Sequence, residues 1–208
     1  MSGDRITTID LKKELKQLYS PSAKEVSVVE VPPMSYLMIN GMGDPNTSKE
    51  YTESIEALYA MSYALKFLVK KSADPTDYIV MPLEGLWWAD NMAEFCLENK
   101  DTWKWTSMIM QPSFVTEAMV SQALEQVEIK QDLSALSKMR FEKYDEGLSA
   151  QIMHVGPYSA ETPIILKLHR FIEENGYSLR GKHHEIYLSD PRKTAPDKLK
   201  TVIRQPMK

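Results

Sequence analysis

The chain of 208 residues repeats one order of predicted elements, and this repeat limits its possible folds more than any other feature. Residues 24–112 are predicted as strand, strand, helix, strand and strand, and residues 138–206 follow the same order. A glycine precedes the helix of each half, Gly43 and Gly156, and a Gln-Pro pair closes each half. Because few residues are identical between the halves, the repeat is one of pattern.

This repeat predicts an α+β fold in which an antiparallel, curved sheet carries helices on one side. A short amphipathic helix is predicted over 8–19, and a helical linker over 113–130 joins the two halves. The length supports one sizeable core, so residues 1–208 are expected to form a single domain. A duplication of this kind leaves a cleft where the halves meet, and ligand sites tend to lie in clefts.

Charge and cysteine content exclude several functional classes. With 25 basic and 29 acidic side chains, and no dense Lys/Arg stripe, the chain is not expected to bind nucleic acid through phosphate neutralisation. Its single cysteine, Cys96, cannot form an internal disulfide or a thiolate metal site. The N-terminus lacks the apolar stretch of a signal peptide, and no run approaches the roughly 20 apolar residues of a membrane span. We therefore expect a cytoplasmic protein without membrane or direct nucleic-acid partners.

The predicted strand around Glu185 carries the strongest chemical pattern. Alternation places His183, Glu185 and Tyr187 on one face and Ile186 on the other. Ile186 can pack against the helices, which leaves the Glu185 face pointing to the opposite side. On a water-facing sheet such a trio is unremarkable. In a cleft it is a carboxylate walled by aromatic rings, suited to act as a base or as counter-charge for a cationic ligand.

A second group of acid and aromatic residues lies in the first half. Glu84 and Trp88 share a face of one predicted strand, and Trp103 and Trp105 share a face of the next. Tryptophans usually fill cores, so each one alone is weak evidence for a ligand site. Together with the nearby acid, they favour planar, apolar or delocalised cationic ligands.

The common catalytic and cofactor motifs are absent from the sequence. It contains no GxSxG elbow, no P-loop, no GxGxxG after a strand and no HExxH. His154 and His169 have no acidic or thiol partner at ligand spacing. We therefore expect neither a metal site nor a cofactor.

The closing segment of the chain has the sequence EIYLSDPR over 185–192 and LKTVIRQP over 199–206, and HVGPY over 154–158 precedes a predicted helix. In the first half, PLEGLWW over 82–88 and WKWTSMIMQP over 103–112 stand out. These segments resemble the GyrI-like small-molecule-binding family, also called the gyrase-inhibitor-like or bacterial effector-binding fold. The first-half segments are similar to its stand-alone, two-half subgroup.

The resemblance implies duplicated strand-helix-strand-strand units with a ligand cleft between the halves. In relatives that sense drugs, an acid at the position of Glu185 lies at the bottom of an aromatic pocket and meets cationic lipophilic ligands. Some stand-alone members resembling this chain are hydrolases that open the cyclopropane ring of DNA-alkylating cyclopropanoid natural products. The resemblance carries over to Glu185, Tyr187 and Tyr158.

Two functions are therefore predicted as alternatives. In the first, the protein is a hydrolase that detoxifies its substrate, and Glu185 acts as general base on water. Tyr187 or His183 then donates a hydrogen bond to the oxygen that gains charge. As a non-catalytic protein, it would sequester or sense the same small molecules. Gyrase is a possible partner by the family name, but nothing in this acidic chain identifies a surface for it. The predicted site comprises Glu185 and Tyr187 as catalytic residues and, as ligand-binding residues, His183, Tyr158, Glu84, Trp88, Trp103 and Trp105.

Overall fold

The structure is a computed structural model that describes residues 8–72, 75–89 and 100–208. Cys96 lies outside these residues. The strands and helices are β1 (Thr8–Ile9), α1 (Leu11–Glu14), α2 (Lys16–Tyr19), β2 (Ser27–Val31), β3 (Met34–Met42), α3 (Lys49–Lys70), β4 (Asp77–Tyr78), β5 (Leu83–Trp88), β6 (Lys104–Gln111), α4 (Glu117–Lys130), β7 (Arg140–Tyr144), β8 (Gly147–Val155), α5 (Thr162–Glu174), β9 (His183–Tyr187) and β10 (Lys200–Pro206).

Eight of these strands form one antiparallel sheet in the order β2-β8-β10-β9-β5-β6-β3-β7, curled into a half-barrel. β1 and β4 pair separately and in parallel. The predicted α+β class, with helices on one side of an antiparallel sheet, is confirmed. Within the described residues, none of the helices is long and apolar enough to cross a membrane.

The two halves of the sequence are interlocked in this sheet. β2 belongs to the first half but pairs with β8 of the second, and β7 belongs to the second half but pairs with β3 of the first. The halves meet where β5 pairs with β9, at the centre of the sheet. This seam places Gly85 directly opposite Glu185.

Helices α3 and α5 lie on the same face of the sheet. Residues directly paired across antiparallel strands face the same side, and Glu185 pairs with both Gly85 and Ile203. Gly85 in turn pairs with Ser107, whose hydroxyl meets Ser54 of α3. Ile203 packs with the buried residues of α5. The helix-bearing face is therefore the face that carries Glu185.

This placement reverses one expectation from the sequence. Ile186 does not face α3 and α5 but lies in the core on the other side of the sheet, with Leu18 and Val202. That side is closed by the N-terminal segment, which supplies Leu18 and Tyr19 as fully buried side chains. Glu185 can occupy the helix-bearing face because α3 and α5 leave a cavity between them over the seam.

Two segments differ from the predicted elements. The helix predicted over 8–19 is two single-turn helices, because Leu15 has φ −98° and ψ 39°, outside the helical region. The predicted strand that carries Glu84 and Trp88 begins only at Leu83, as β5, and a stretch that contains Pro82 separates it from β4. The predicted linker is helical as α4, and it packs against α3.

Candidate functional site

A cavity of about 1230 Å³ opens on the helix-bearing face, above the seam between the halves. β5 and β9 form its floor, and α3 forms one wall. The segment from Tyr158 to Ile165, which includes the start of α5, forms the opposite wall. Four side chains of α3 spaced four residues apart line the first wall, namely Tyr51, Ile55, Tyr59 and Tyr63. Since residues at this spacing lie on one side of a helix, α3 presents a continuous and mainly aromatic stripe to the cavity.

Glu185 lies on the floor of this cavity, with its side chain 14% exposed. The Tyr187 hydroxyl donates a hydrogen bond of 2.8 Å to Oε2 of Glu185. Nε2 of His183 lies 3.1 Å from Oε1, and facing a carboxylate it carries the hydrogen and donates. Two donors on neighbouring residues of the same strand face therefore hold the carboxylate in one orientation.

The Tyr187 hydroxyl is itself held from the other strand of the seam. Nε1 of Trp87 donates to it over 3.0 Å. The strand position between these groups is Gly85, where an added Cβ would lie 2.7 Å from the Trp87 Nε1 and 3.1 Å from the Tyr187 hydroxyl. A glycine at this position is therefore required for the approach of Trp87 and Tyr187 over the strand.

Packed aromatic rings surround this hydrogen-bonded group. Tyr51 lies 5.0 Å from Trp105, edge to face, and 5.7 Å from Trp87, measured between ring centroids. Trp103 meets Trp87 edge to face at 5.8 Å. The ring of Tyr158 stands edge to face against Tyr187 at 5.6 Å. These contacts fix the floor and walls as rigid aromatic surfaces.

A second carboxyl group, Glu161, lines the same cavity and was not predicted from the sequence. The residue is 5% exposed, and its Oε1 has no hydrogen-bond partner among the described residues. Burial and the nearby charge of Glu185 raise the pKa of Glu161 to about 9, while Thr201 and Lys100 act in the opposite direction. Burial and the neighbouring carboxylate therefore favour the protonated form of this side chain.

The phenols of the cavity are weak acids. Burial and then the charges of Glu161 and Glu185 raise the pKa of Tyr158 to about 12. Burial, followed by the charge of Glu185, also raises the pKa of Tyr51 and Tyr187. At neutral pH these hydroxyls remain neutral hydrogen-bond donors.

The structure brings five of the eight predicted site residues to the cavity and leaves three outside it. Those that line it are Glu185, Tyr187, His183, Tyr158 and Trp103. Trp105 is fully buried behind Tyr51 and supports the wall from outside. Glu84 and Trp88 share a face, as alternation predicts, but it is the face opposite Glu185. Trp88 packs there under the Lys182 ammonium, 3.4 Å from the ring centroid.

Glu84 belongs instead to a buried network on that opposite face. His184 lies between two acids, with Nδ1 2.8 Å from Glu146 and Nε2 3.0 Å from Glu84. Arg204 donates to Glu146 over 3.0 Å, and the Tyr19 hydroxyl donates to Glu84 over 2.8 Å. All four charged side chains are buried, and two acids balance two cations.

The pKa values of this network follow from its pairing. Burial disfavours the charge of His184, but Glu146 and Glu84 outweigh burial and raise the pKa of His184 to about 9. Burial likewise opposes the charge of Glu146, yet His184 and Arg204 lower the pKa of Glu146 to about 2. Glu84 therefore belongs to an internal, charge-balanced cluster and does not reach the cavity.

Among the described residues, no group of three His, Cys, Asp or Glu side chains is arranged to hold a metal ion.

Some of the residues that sequence reasoning missed had a signal in the sequence, and Glu161 did not. Gly85 marks a close approach of side chains over a strand, which indicates its neighbour Trp87 rather than Trp88. The tyrosines of α3 at spacings of eight and four indicate one aromatic stripe. Glu161 stands just before a helix, where an acid ordinarily complements the helix dipole, and so it did not suggest a ligand site.

Known proteins of similar sequence and structure indicate the family of this chain. None of the curated proteins matches this chain. The crystal structure of an uncharacterized conserved protein from Listeria innocua is 39% identical with a TM-score of 0.90, over 97% of this chain and 100% of that one. A second crystal structure, of a protein described as a hydrolase from Listeria innocua, is 38% identical with a TM-score of 0.84, over the same shares of both chains. The model of the GyrI-like small molecule binding domain matches residues 24–208. The chain therefore belongs to the GyrI-like small-molecule-binding family, as its resemblance predicted.

Proposed function

We propose that the protein binds planar, apolar or cationic aromatic molecules in this cavity and hydrolyses electrophilic cyclopropanoid compounds there, as a means of detoxification. The observation that carries the proposal is the Glu185 carboxylate, oriented by two hydrogen bonds on the floor of an aromatic cavity. The similarity to a Listeria innocua protein described as a hydrolase adds support.

Glu185 acts as the general base. Each of its oxygens accepts one hydrogen bond from the protein, and a carboxylate oxygen has two lone pairs, so each can still accept from a water molecule. The water gives one proton to Glu185, and its oxygen forms a bond to the ring carbon. The strained carbon–carbon bond breaks, and its electron pair moves through the conjugated system to a carbonyl oxygen, which must then take up a proton.

Tyr187 and His183 position the base. Both direct their donor hydrogens to Glu185, so neither is free to donate to the substrate without releasing the carboxylate. Trp87 fixes the Tyr187 hydroxyl in turn. Holding a base in one geometry lowers the entropic cost of the reaction, and this is the contribution that these three side chains make.

The aromatic walls select the substrate. A flat ring system can lie against the α3 stripe and the Tyr158 ring, burying apolar area on both sides. The cavity volume is large enough for a ligand of several fused rings. Lys12, Lys100 and Arg192 line the cavity as well, so a polar substituent of the ligand can pair with a cation there.

Turnover of a cyclopropane-bearing alkylator, followed by mass spectrometry, tests the proposal. We expect the hydrolysed product with the wild type and a loss of about 100-fold or more in kcat/KM for Glu185→Gln, because the amide cannot accept the proton. Glu128→Gln, an exposed change of the same type on α4, is the matched control and should keep full activity. No product from the wild type would overturn the enzymatic proposal, and full turnover by Glu185→Gln would remove Glu185 as the base.

The alternative is a binding protein that leaves its ligand unchanged. The feature that favours it is the placement of the Glu185 carboxylate among aromatic rings, which suits a lipophilic cation. Titration with ethidium, followed by tryptophan fluorescence, would then show saturable binding that Glu185→Gln weakens. Recovery of a cyclopropane-bearing alkylator chemically intact from the wild type would decide for this alternative.

A further inference from the structure

Opening of the strained ring requires a proton donor as well as a base. The carbonyl oxygen that receives the electron pair gains a full negative charge unless a proton reaches it. Tyr187 and His183 were the donors that the sequence suggested, and both are engaged with Glu185. The proton must therefore come from a group other than Tyr187 and His183.

We propose that Glu161 is this proton donor, an assignment that rests on the proposed hydrolysis. Its carboxyl group is nine-tenths buried, lines the same cavity as Glu185 and has an oxygen without a hydrogen-bond partner among the described residues. A buried polar atom without a partner costs free energy, so its retention at a ligand cavity points to a partner that arrives with the ligand.

The position of Glu161 at the start of a helix also supports this assignment. Glu161 occupies the N-cap position of α5, where polar side chains usually bond back to the exposed amides of the first turn. Its side chain makes no such bond, and it lines the cavity instead. The carboxyl group is therefore available to a ligand that lies above the floor.

The surrounding charges keep the proton on Glu161 until it is needed. The group is faced by Glu185 of β9, by Thr201 of β10, by Lys100 before β6 and by Tyr158 of its own segment. Burial and the Glu185 charge favour the protonated form, and they outweigh Lys100 and Thr201. The phenols of the cavity are poorer donors, because burial and the two acids raise the pKa of Tyr158 to about 12.

The proton balance of the reaction closes within the cavity. Water gives one proton to Glu185, and Glu161 gives its proton to the carbonyl oxygen of the electrophile. This oxygen stays bonded and becomes a hydroxyl group of the product. Glu185 is then protonated and Glu161 is a carboxylate, so the total charge of the cavity is unchanged. Transfer of the proton from Glu185 to Glu161 through water restores the starting state.

Comparison of Glu161→Gln with Glu185→Gln and the wild type tests the assignment. We expect Glu161→Gln to bind the alkylator within about threefold of the wild type by tryptophan fluorescence, because the amide is similar in size and remains polar. We expect its kcat/KM to fall about 100-fold, because an amide cannot transfer a proton. We also expect the wild-type kcat/KM to decline above about pH 9, the pKa of Glu161, and this decline to be missing from the residual activity of Glu161→Gln.

The outcomes separate this assignment from the proposed function. Wild-type turnover that Glu185→Gln abolishes and Glu161→Gln leaves intact would overturn the proton donor alone. A decline at high pH that persists in Glu161→Gln would do the same, since the titrating group would lie elsewhere. Absence of turnover in the wild type would overturn the hydrolase and, with it, the donor.

Discussion

Strand β9 carries a histidine paired with a glutamate on each of its faces, and the two pairs have different surroundings. His184 lies between Glu146 and Glu84 in a cluster where charges balance and hydrogen bonds close on one another. His183 pairs with Glu185, which faces a cavity and a second carboxyl group. We call the first the closed face and the second the open face.

The comparison shows that residue type does not decide the role of a buried charge. On the closed face every charge has a protein partner, so the cluster fixes the position of the N-terminal segment against the sheet. On the open face Oε1 of Glu161 lacks a hydrogen-bond partner among the described residues, and the space beside it can take a ligand. A buried ionisable group that lacks a protein partner and lies next to a cavity is available for binding or catalysis.

The largest expected effect separates the faces by stability. Arg204→Met leaves the oxygens of Glu146, Gln151 and Leu18 without their buried donor, and should lower the free energy of unfolding by about 3–5 kcal/mol. The matched control, Arg192→Met, removes an exposed arginine and should leave the free energy of unfolding nearly unchanged. Urea denaturation followed by circular dichroism measures both. Equal losses in the two variants would contradict the structural role of the closed face.

The next expected effect is a rise in the free energy of unfolding, and it comes from a change on the open face. In the folded state the pKa of Glu161 is raised, so below about pH 4.5 both states are protonated and the group has no effect on stability. Between about pH 4.5 and 9 the unfolded chain ionises and the folded one does not, which favours unfolding. Glu161→Gln should therefore raise the free energy of unfolding at pH 8, on the order of 1–3 kcal/mol, and leave it unchanged at pH 4.

Urea denaturation of Glu161→Gln and the wild type at both pH values provides the measurement. The variant should still lose stability as pH rises from 6.5 through 9, because His184 on the closed face has a raised pKa and gives up its stabilising charge there. No gain at pH 8 would mean that Glu161 is ionised in the folded protein.

The smallest expected effect maps the edge of the open face. Tyr63 lies at the exposed end of the α3 stripe and packs against Tyr59, so Tyr63→Ser should weaken aromatic ligands about twofold to threefold. Phe67 lies one turn further along α3, outside the cavity lining and equally exposed, and Phe67→Ser should leave affinity unchanged. Fluorescence titration with ethidium measures both, and equal effects would place the ligand elsewhere on α3.

Much of the fold could be predicted because strands and helices leave periodic patterns in the sequence. Alternation alone places His183, Glu185 and Tyr187 on one face, and the structure keeps them together. It cannot state which face of the sheet meets the helices, since the apolar Ile186 indicates only that its face is buried and not which element buries it. The closed face holds charges in the core, which a pattern of apolar residues does not reveal.

The remaining site residues depend on pairing between distant segments. The register of β5 against β9 sets Gly85 opposite Glu185, and this decides that Trp87 faces the cavity while Glu84 and Trp88 face away. A shift of one residue would reverse all of these assignments, and nothing within either strand determines the register. Glu161 escaped notice for a similar reason, because its isolation from partners is a property of the assembled cavity.

The attachment of the N-terminal segment to the closed face bears on how the protein can be trimmed. The model of the family begins at residue 24, yet Gln17, Leu18 and Tyr19 hold Gln151, Arg204 and Glu84 by hydrogen bonds. A chain that begins at residue 24 would lose the hydrogen-bond partners of three buried groups. It would also lose the buried side chains that close this side of the sheet. The unit that folds is therefore longer than the unit that the family model covers, and truncation experiments should keep residues 17–19.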